Sequence, residues 1–376
     1  MPKVRVGVLF GGRSGEHEVS LASAYAVMQA LDPAQFEIIP IGIDKQGRWL
    51  VGGAAWPQLR AQAKVAIGPG EEHKPVPRGA LPAPSGSDLQ TIDGGGFVTR
   101  QGEWARQLDV IFPVLHGTYG EDGTVQGLLE LLDVPYVGCG VASSAVCMDK
   151  ILAKRVLASA GIPQVDFREV SRSEWEQHPE RVHRRIATLG YPCFVKPANL
   201  GSSVGISKVH HGAELGTALD EAARFDRRII VEQGLESIHE VEVSVLGNED
   251  PIVSMPGEIV PCHEFYDYEA KYLAGGSREI IPAPLPEAVI RLVQELALRA
   301  YRALDVAGMA RIDFMVTRGT HEVYLNELNT IPGFTPISMY PKLWAASGVT
   351  FEELVKRLIT LALERHEERA RSATSI

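Results

Sequence analysis

Arg311 and Asp313 stand two apart in Ala310-Arg311-Ile312-Asp313-Phe314, and Glu327 and Asn329 two apart in Glu327-Leu328-Asn329. Residues two apart on a strand share a face. The turn-like residues 317–321 separate the runs 310–316 and 323–329, which predicts a hairpin. If the turn centres on Gly319, residue 311 lies opposite 327 and 313 opposite 325, and all four side chains emerge on one face. Two carboxylates and an amide oxygen make a hard-oxygen site, suited to Mg²⁺ bridging polyphosphate and unsuited to soft metals. Arg311 beside them could neutralise charge developing on a transferring phosphoryl group. A cross-strand salt bridge would use the same charges, but it leaves Asn329 and the Pro332-Gly333 loop unexplained.

Three loops carry further candidates. Gly11-Gly12-Arg13-Ser14-Gly15-Glu16-His17-Glu18 sits at a strand-to-helix junction. Its G-G-x-x-G spacing is not a dinucleotide fingerprint, and two acids occupy the place of a phosphate. A capped helix fits the pattern; so does an ionised Glu16 that receives a small ammonium group. His116-Gly117-Thr118-Tyr119-Gly120-Glu121-Asp122-Gly123 follows a strand, where parallel α/β sheets bind ligands. It reads as a tight turn with a solvated histidine, or as backbone that approaches a ligand with His116 at the tip. Lys196-Pro197-Ala198-Asn199-Leu200-Gly201-Ser202-Ser203-Val204-Gly205 is no P-loop, because the chain contains no Gly-Lys dipeptide. It is either a structural hairpin or a loop whose N–H and hydroxyl donors fold over polyphosphate. Residues 265–272 mix aromatics and charges without a period, as a functional surface loop does.

The elements that must position these residues begin with a βαβ unit: strand 4–10, turn 11–15, helix 19–31, strand 36–43. Residues 52–107 are rich in Pro and Gly and read as an embellishing insertion. Strand 109–115 and helix 124–132 follow, and helix 149–160 is ended by Gly161 and Pro163. Further strands are expected at 193–196, 204–208, 228–232 and 240–246. A terminal helix spans 351–362, with a frayed Glu/Arg-rich end.

A length of 376 residues leaves room for two or three domains. With 45% hydrophobic and 22% charged residues, disorder, collagen-like repeats and disulfide-stapled miniproteins are disfavoured. The net charge of -10 disfavours nucleic acid and anionic membranes as partners. Cys139, Cys147, Cys193 and Cys262 form no C-x-x-C pair and read as reduced, buried thiols. A strand starting at residue 4 leaves no room for a leader, and no apolar run approaches the roughly 20 residues of a membrane span. A cytoplasmic location is expected.

Taken in order, the segments GEHEVSL (15–21), HGTYGEDG (116–123), MDK (148–150), KPANLGSSVG (196–205), VEQG (231–234), YDYEAKY (266–272), ARIDF (310–314) and NELNTIPGFT (326–335) resemble the D-alanine–D-alanine ligases of the ATP-grasp superfamily. The resemblance implies an α/β and α+β fold: a Rossmann-like N-terminal domain over 1–147 with the insertion at 52–107, a central ATP-grasp lobe at 148–236, and a C-terminal lobe at 237–376 holding the metal and substrate site. It implies ATP and two Mg²⁺ ions, with Mn²⁺ as a substitute, D-alanine as substrate, and a homodimer. Lys150, Lys196 and Lys271 would contact phosphates, with Ser202 and Ser203 in the covering loop. Glu232 and Gln233 would meet the adenine edge, Phe265 and Met315 its faces, and Glu240 or Glu242 the ribose; Glu240 is the first choice. Asp313, Glu327 and Asn329 match the metal ligands. Glu16, assisted by His116, would receive the first D-alanine's ammonium group, and Ser202 and Tyr272 would complete a hydrogen-bonded triad with it. Ser338, followed by Met339, would hold the second D-alanine's carboxylate. Arg311 and the N–H of Gly333 would stabilise the oxyanion.

Two rivals share the fold. One is a D-alanine–D-lactate ligase, against which Tyr272 argues. The other is a silent nucleotide sensor, which would have shed a metal carboxylate or Arg311. A bicarbonate-using carboxylase would not need Glu16. In the implied reaction one D-alanine carboxylate attacks the γ-phosphate of ATP, giving an acyl phosphate and ADP, and the amine of the second D-alanine then expels phosphate. Neither step requires a covalent enzyme nucleophile, so Ser202 and Ser338 position rather than attack. Ser202→Ala should therefore lower turnover without abolishing it; complete loss with ATP affinity intact would contradict the assignment.

Overall fold

The computed structural model describes residues 2–51, 55, 57, 108–201, 204–261 and 277–373. Nearly all of the 52–107 insertion, and with it Ser202, Ser203, Cys262, Phe265, Lys271 and Tyr272, lie outside the described residues.

The opening βαβ unit is β1 (Val4–Gly11), α1 (His17–Ala30) and β2 (Phe36–Ile43), joined by β3 (Trp49–Val51) and β4 (Val110–Pro113) in the order β3-β2-β1-β4. β1 runs parallel to both neighbours. Its last six residues are buried, the near-continuous apolar run of a strand covered on both faces. Three helices follow: α2 (Thr124–Leu131), α3 (Val141–Met148) and α4 (Lys150–Ser159). α3 was not anticipated from the sequence.

The next unit consists of β5 (Phe167–Ser171), α5 (Arg172–Gln177), α6 (Pro179–Ala187), β6 (Cys193–Pro197), β7 (Ser207–Val209), α7 (Leu215–Phe225) and β8 (Arg228–Gln233). Its antiparallel sheet has the order β5-β8-β6-β7, and α6 and α7 bury Val182, Ile186, Leu215 and Leu219 with Val195 and Val231.

The third sheet is also antiparallel. It comprises β9 (Ile238–Gly247), β10 (Ile252–Val253), β11 (Gly257–Pro261), β12 (Ser277–Ile280), β13 (Gly308–Thr317) and β14 (Val323–Asn329), in the order β12-β11-β9-β13-β14 with β10 beside β9. Before β13 comes α8 (Glu287–Ala303), whose Val293, Leu296, Ala297 and Ala300 pack with Val241, Val243, Ile312 and Phe314. α9 (Met339–Ala346) and α10 (Phe351–Ala370) end the fold.

The β13–β14 register differs from the expected one. Val316 pairs with Val323 and Phe314 with Leu325. Continued unbroken, this ladder would set Asp313 against Asn326 and turn Glu327 and Asn329 to the opposite face. A bulge intervenes, so that Asp313 faces Glu327 and Arg311 faces Asn329. The cause lies in the apolar spacing. Val323, Leu325 and Leu328 are all buried, and 325 and 328, three apart, can share a face only if one residue is bulged out.

The terminal helix also departs from expectation: α10 runs to Ala370 instead of fraying after 362. Arg365 lies 4.2 Å from the Tyr136 ring centroid and donates to its carbonyl at 3.1 Å, and Arg369 pairs with Glu130. The apolar side of α10, Leu354, Val355, Leu358 and Ile359, shares one core with Val6, Val8 and Phe10 of β1 and with Val110 and Phe112 of β4. No helix among the described residues is long and apolar enough to cross a membrane. Leu358→Ala should cost about 2–5 kcal/mol in urea unfolding; a loss below about 0.5 kcal/mol, as for surface changes, would show that the helix does not share this core.

Candidate active site

β13 lies between β9 and β14, so its polar side is a three-strand surface. Arg311 sits between Ser244 and Asn329, Asp313 between Glu242 and Glu327, and Met315 between Glu240 and Tyr324. Arg311 donates to both Asp313 oxygens, Nε to Oδ1 at 2.8 Å and Nη2 to Oδ2 at 2.7 Å. Its Nε is also 3.1 Å from Glu242 Oε2. Burial works against the Arg311 charge, yet Asp313, Glu242 and Glu327 push its pKa well above the ordinary guanidinium value. Asn329 Nδ2 donates to Asp313 Oδ2 at 3.0 Å.

The three carboxylates of Glu242, Asp313 and Glu327 outnumber the one guanidinium, and their oxygens are the donor type and charge that fit a hard divalent cation. Among the described residues no three His, Cys, Asp or Glu side chains converge into a closed cage. Glu240 and Glu242 occupy successive rungs. Glu242 is engaged with Arg311, and Glu240 lies beside Met315, on the side where a ribose contact next to an adenine pocket is expected.

Glu16 occupies the N-cap of α1 and is buried, in the partial positive charge of the helix N-terminus. Glu18 instead turns to Lys45 at 2.6 Å, so Glu16 alone of the two acids lies against the following loops. His17 is fully buried, its Nδ1 donating to Gly12 O at 2.7 Å. Gly117 has φ +73°, and a Cβ there would come within 2.8 Å of Glu16 Oε2. A Cβ at Gly201 would lie 3.6 Å from the same oxygen and 3.7 Å from Gly117 Cα. Loops separated by about a hundred residues thus meet at one carboxylate.

His116 is buried with both ring nitrogens engaged. Nδ1–H donates to Ile331 O at 2.8 Å, and Nε2 accepts from Ser23 Oγ at 3.0 Å. Burial lowers its pKa despite nearby Glu16, so the ring is neutral. Both nitrogens are therefore committed to tying together the segments at Ser23 and Ile331. Glu121 also engages Ile331: Oε2 accepts from Gly117 N at 2.7 Å and Oε1 from Ile331 N at 3.0 Å. It was not singled out from the sequence, although it lies inside the HGTYGEDG segment. Ser338 Oγ is 2.8 Å from Thr335 Oγ1, and a Cβ on Gly333 would be 3.1 Å from Ser338 Oγ. The Met339 side chain packs with Ile259 and Leu343, which leaves its backbone, at the start of α9, as the part nearest the loop.

Beside the small-residue loop, Asp149 caps α4 through Ile151 N and Leu152 N and pairs with Arg228. Lys150 Nζ donates to Leu200 O at 2.6 Å in the small-residue loop. Lys196 is 2.5 Å from Glu232 Oε2 and feels Glu327 electrostatically. The Glu232 carboxylate is thus engaged by lysines, while its strand is paired on both sides and Gln233 N donates to Asp166 O at 2.8 Å. Lys154, one helical turn beyond Lys150 and also missed, is the second lysine on Glu232, at 3.2 Å. Cys139, Cys147 and Cys193 are buried free thiols whose pKa values burial raises, as expected of inert core cysteines.

Burial, then Glu16, raises the Glu121 pKa from 4.5 to about 8. A raised folded-state pKa contributes stability that is full below the unfolded value and is lost as pH rises through the folded one. Between about pH 5 and pH 8.5 the urea midpoint of the native chain should therefore fall relative to that of Glu121→Gln. Parallel midpoint-against-pH curves would exclude this titration.

The geometry can be set beside known proteins. Residues 5–139 match the model "D-ala D-ala ligase N-terminus" and residues 156–360 the model "D-ala D-ala ligase C-terminus". The chain is 51% identical over 380 residues to a D-alanine–D-alanine ligase of Thermoanaerobacter sp. (strain X514), with 99% of each covered. It is 49% identical to one of Heliobacterium modesticaldum, covering 100% of this chain and 98% of that one. Among solved structures, the D-alanine–D-alanine ligase from Coxiella burnetii superposes with TM-score 0.77 at 37% identity, covering 99% of this chain and 97% of that one. The VanG D-Ala:D-Ser ligase from Enterococcus faecalis superposes with TM-score 0.77 at 34% identity, covering 96% and 100%. With two family models across most of its length and full-length relatives at about half identity, the chain belongs to the D-alanine–D-alanine ligase family, with its ATP-grasp fold.

Proposed function

We propose that this ligase joins two D-alanine molecules into D-alanyl-D-alanine, cleaving ATP to ADP and phosphate, as a homodimeric cytoplasmic enzyme supplying peptidoglycan precursors. The observation that carries the reading is the rung Glu242–Asp313–Glu327 with Arg311 bound to it, near enough to Lys196 for Glu327 to raise that ammonium's pKa. A face of hard oxygens opposed to buried cations is what a metal-bound polyphosphate requires.

In the proposed sequence, the carboxylate of the first D-alanine attacks the γ-phosphorus, and the bond to the β,γ-bridging oxygen breaks, giving an acyl phosphate and ADP. The amine of the second D-alanine then attacks the acyl carbon, the bond to phosphate breaks, and the amine loses a proton. Glu16 holds the first ammonium group, with His116 and Glu121 fixing the loops around it. Arg311 and the N–H of Gly333 receive the oxyanion, and Ser338, at the head of α9, takes the second carboxylate. Lys150, Lys196 and Lys271 bind phosphate oxygens, with Ser202, Ser203 and Tyr272 in the covering segments; Gln233, Glu240, Phe265 and Met315 form the nucleoside pocket. Mg²⁺ held by Asp313, Glu327 and Asn329 would neutralise phosphate charge when bound. Orientation and charge stabilisation carry the catalysis, and no group of the chain becomes acylated.

The test is ATP-dependent phosphate release with D-alanine, with L-alanine and with neither. The expected outcome is release with D-alanine alone, abolished in Asp313→Ala and in Glu327→Ala. Release with L-alanine alone would overturn the substrate. D-serine and D-lactate, offered as second substrates, separate the dipeptide reading from the ester and D-Ala:D-Ser alternatives.

A further inference from the structure

We propose that Lys154 is a positioning residue of the nucleotide cleft: it holds the Glu232 carboxylate so that Lys196, the other cation on that carboxylate, is free to turn to the phosphates of ATP. The inference rests on the reading of Lys196 as a phosphate contact.

The geometry is specific. Lys154 projects from α4, one turn after Lys150, and is among the largest fully buried side chains. Its Nζ meets Glu232 Oε1 at 3.2 Å, and Lys196 Nζ meets Oε2 of the same carboxylate. Each ammonium also lies near an aromatic ring: Lys154 is 5.6 Å from the Phe167 centroid and Lys196 5.8 Å from that of Phe194. Among the described residues this makes two lysines on one glutamate, one positive charge more than a neutral pair. A buried ammonium is costly unless paired, so core stability alone gives no reason for the second lysine.

The two lysines are not equivalent. The Lys154 side chain is 2% exposed and that of Lys196 14%, so only Lys196 can reach an anion entering from the cleft. If Lys154 were absent, Glu232 and Lys196 would form a closed neutral pair. A phosphate could then engage Lys196 only by competing with the carboxylate, or by leaving Glu232 buried without a counterion, a costly arrangement. With Lys154 in place, Glu232 keeps a partner when Lys196 moves. Although burial raises the Glu232 pKa, Lys196 and Lys154 hold it down to about 2 while both are in place.

Lys154→Met keeps the side-chain length and leaves a neutral Glu232–Lys196 pair, so the fold should persist. Its KM for ATP should rise about tenfold with kcat within about threefold and KM for D-alanine unchanged, the pattern of lost nucleotide binding. Lys154→Arg should restore most of the affinity. Adding Glu232→Gln to Lys154→Met should release Lys196 and return KM for ATP toward the native value, since the two changes act through one network. If the methionine variant does not accumulate folded, Lys154→Gln provides the same comparison. An unchanged KM for ATP in the charge-removing variant, or an arginine variant no better than it, overturns the role of Lys154 alone. Absence of ATP-dependent phosphate release from the native chain would overturn the proposed function and this role together.

Discussion

Glu242, Asp313 and Glu327 are held side by side on one sheet face, and Arg311 bridges two of them. Two unit charges about 4 Å apart interact by about 4 kcal/mol near a protein surface, so the excess acid on this face is a standing repulsion. Its strand positions are set by the packing beneath. β13 is an interior strand of its sheet, and its other side is filled by Ile312 and Phe314 against α8. Carboxylates fixed in this way lower their mutual repulsion by gaining a proton or a cation, and the second is the physical basis of the proposed metal–phosphate site.

The rest of the fold ties other chemistry to that face. β14 ends at Asn329, and two residues later Ile331 is held from both sides, its N–H by Glu121 and its carbonyl by His116. The loop bearing Gly333 and Ser338 continues from there, with Phe334 packed 5.6 Å from Phe112 and 5.4 Å from Phe351. α10 then returns to the first sheet and completes its core. The pocket around Glu16 and the acidic face around Asp313 are thus joined through buried contacts, and a displacement of one is resisted by the packing of the other. The middle sheet meets them through the Asp149 cap and the Lys150 contact to Leu200. Its Glu232 and Lys196 meet Lys154 of α4.

Much of this was legible from local pattern. β2 and β14 came out at the expected residues, and β1, β4, β6, β8, β9, β13 and the α4 helix within a few residues, because apolar alternation and capping signals are local. The helices α3, α5, α6, α7, α8 and α9 were not read, although Leu215, Ala218, Leu219 and Ala222 of α7 and Val293, Leu296, Ala297 and Ala300 of α8 keep a helical spacing visible within a short window. The end of α10 was misjudged for a different reason: Arg365 and Arg369 look like solvated charge until Tyr136 and Glu130 are beside them.

By itself the sequence determined the chemistry available: hard-oxygen ligands on two short strands, a small-residue loop behind a lysine, an acid at the head of the first helix. It also held the cause of the β14 bulge, since Leu325 and Leu328, three apart, cannot share a face on a regular strand. Only the tertiary structure decided that the bulge would bring Glu327 opposite Asp313, that both nitrogens of His116 would be committed, and that Lys154 and Lys196 would share Glu232. Each of these is a pairing between residues distant in the chain or a phase set by burial. Such partners are chosen by the free energy of packing a whole core, a quantity no single segment carries.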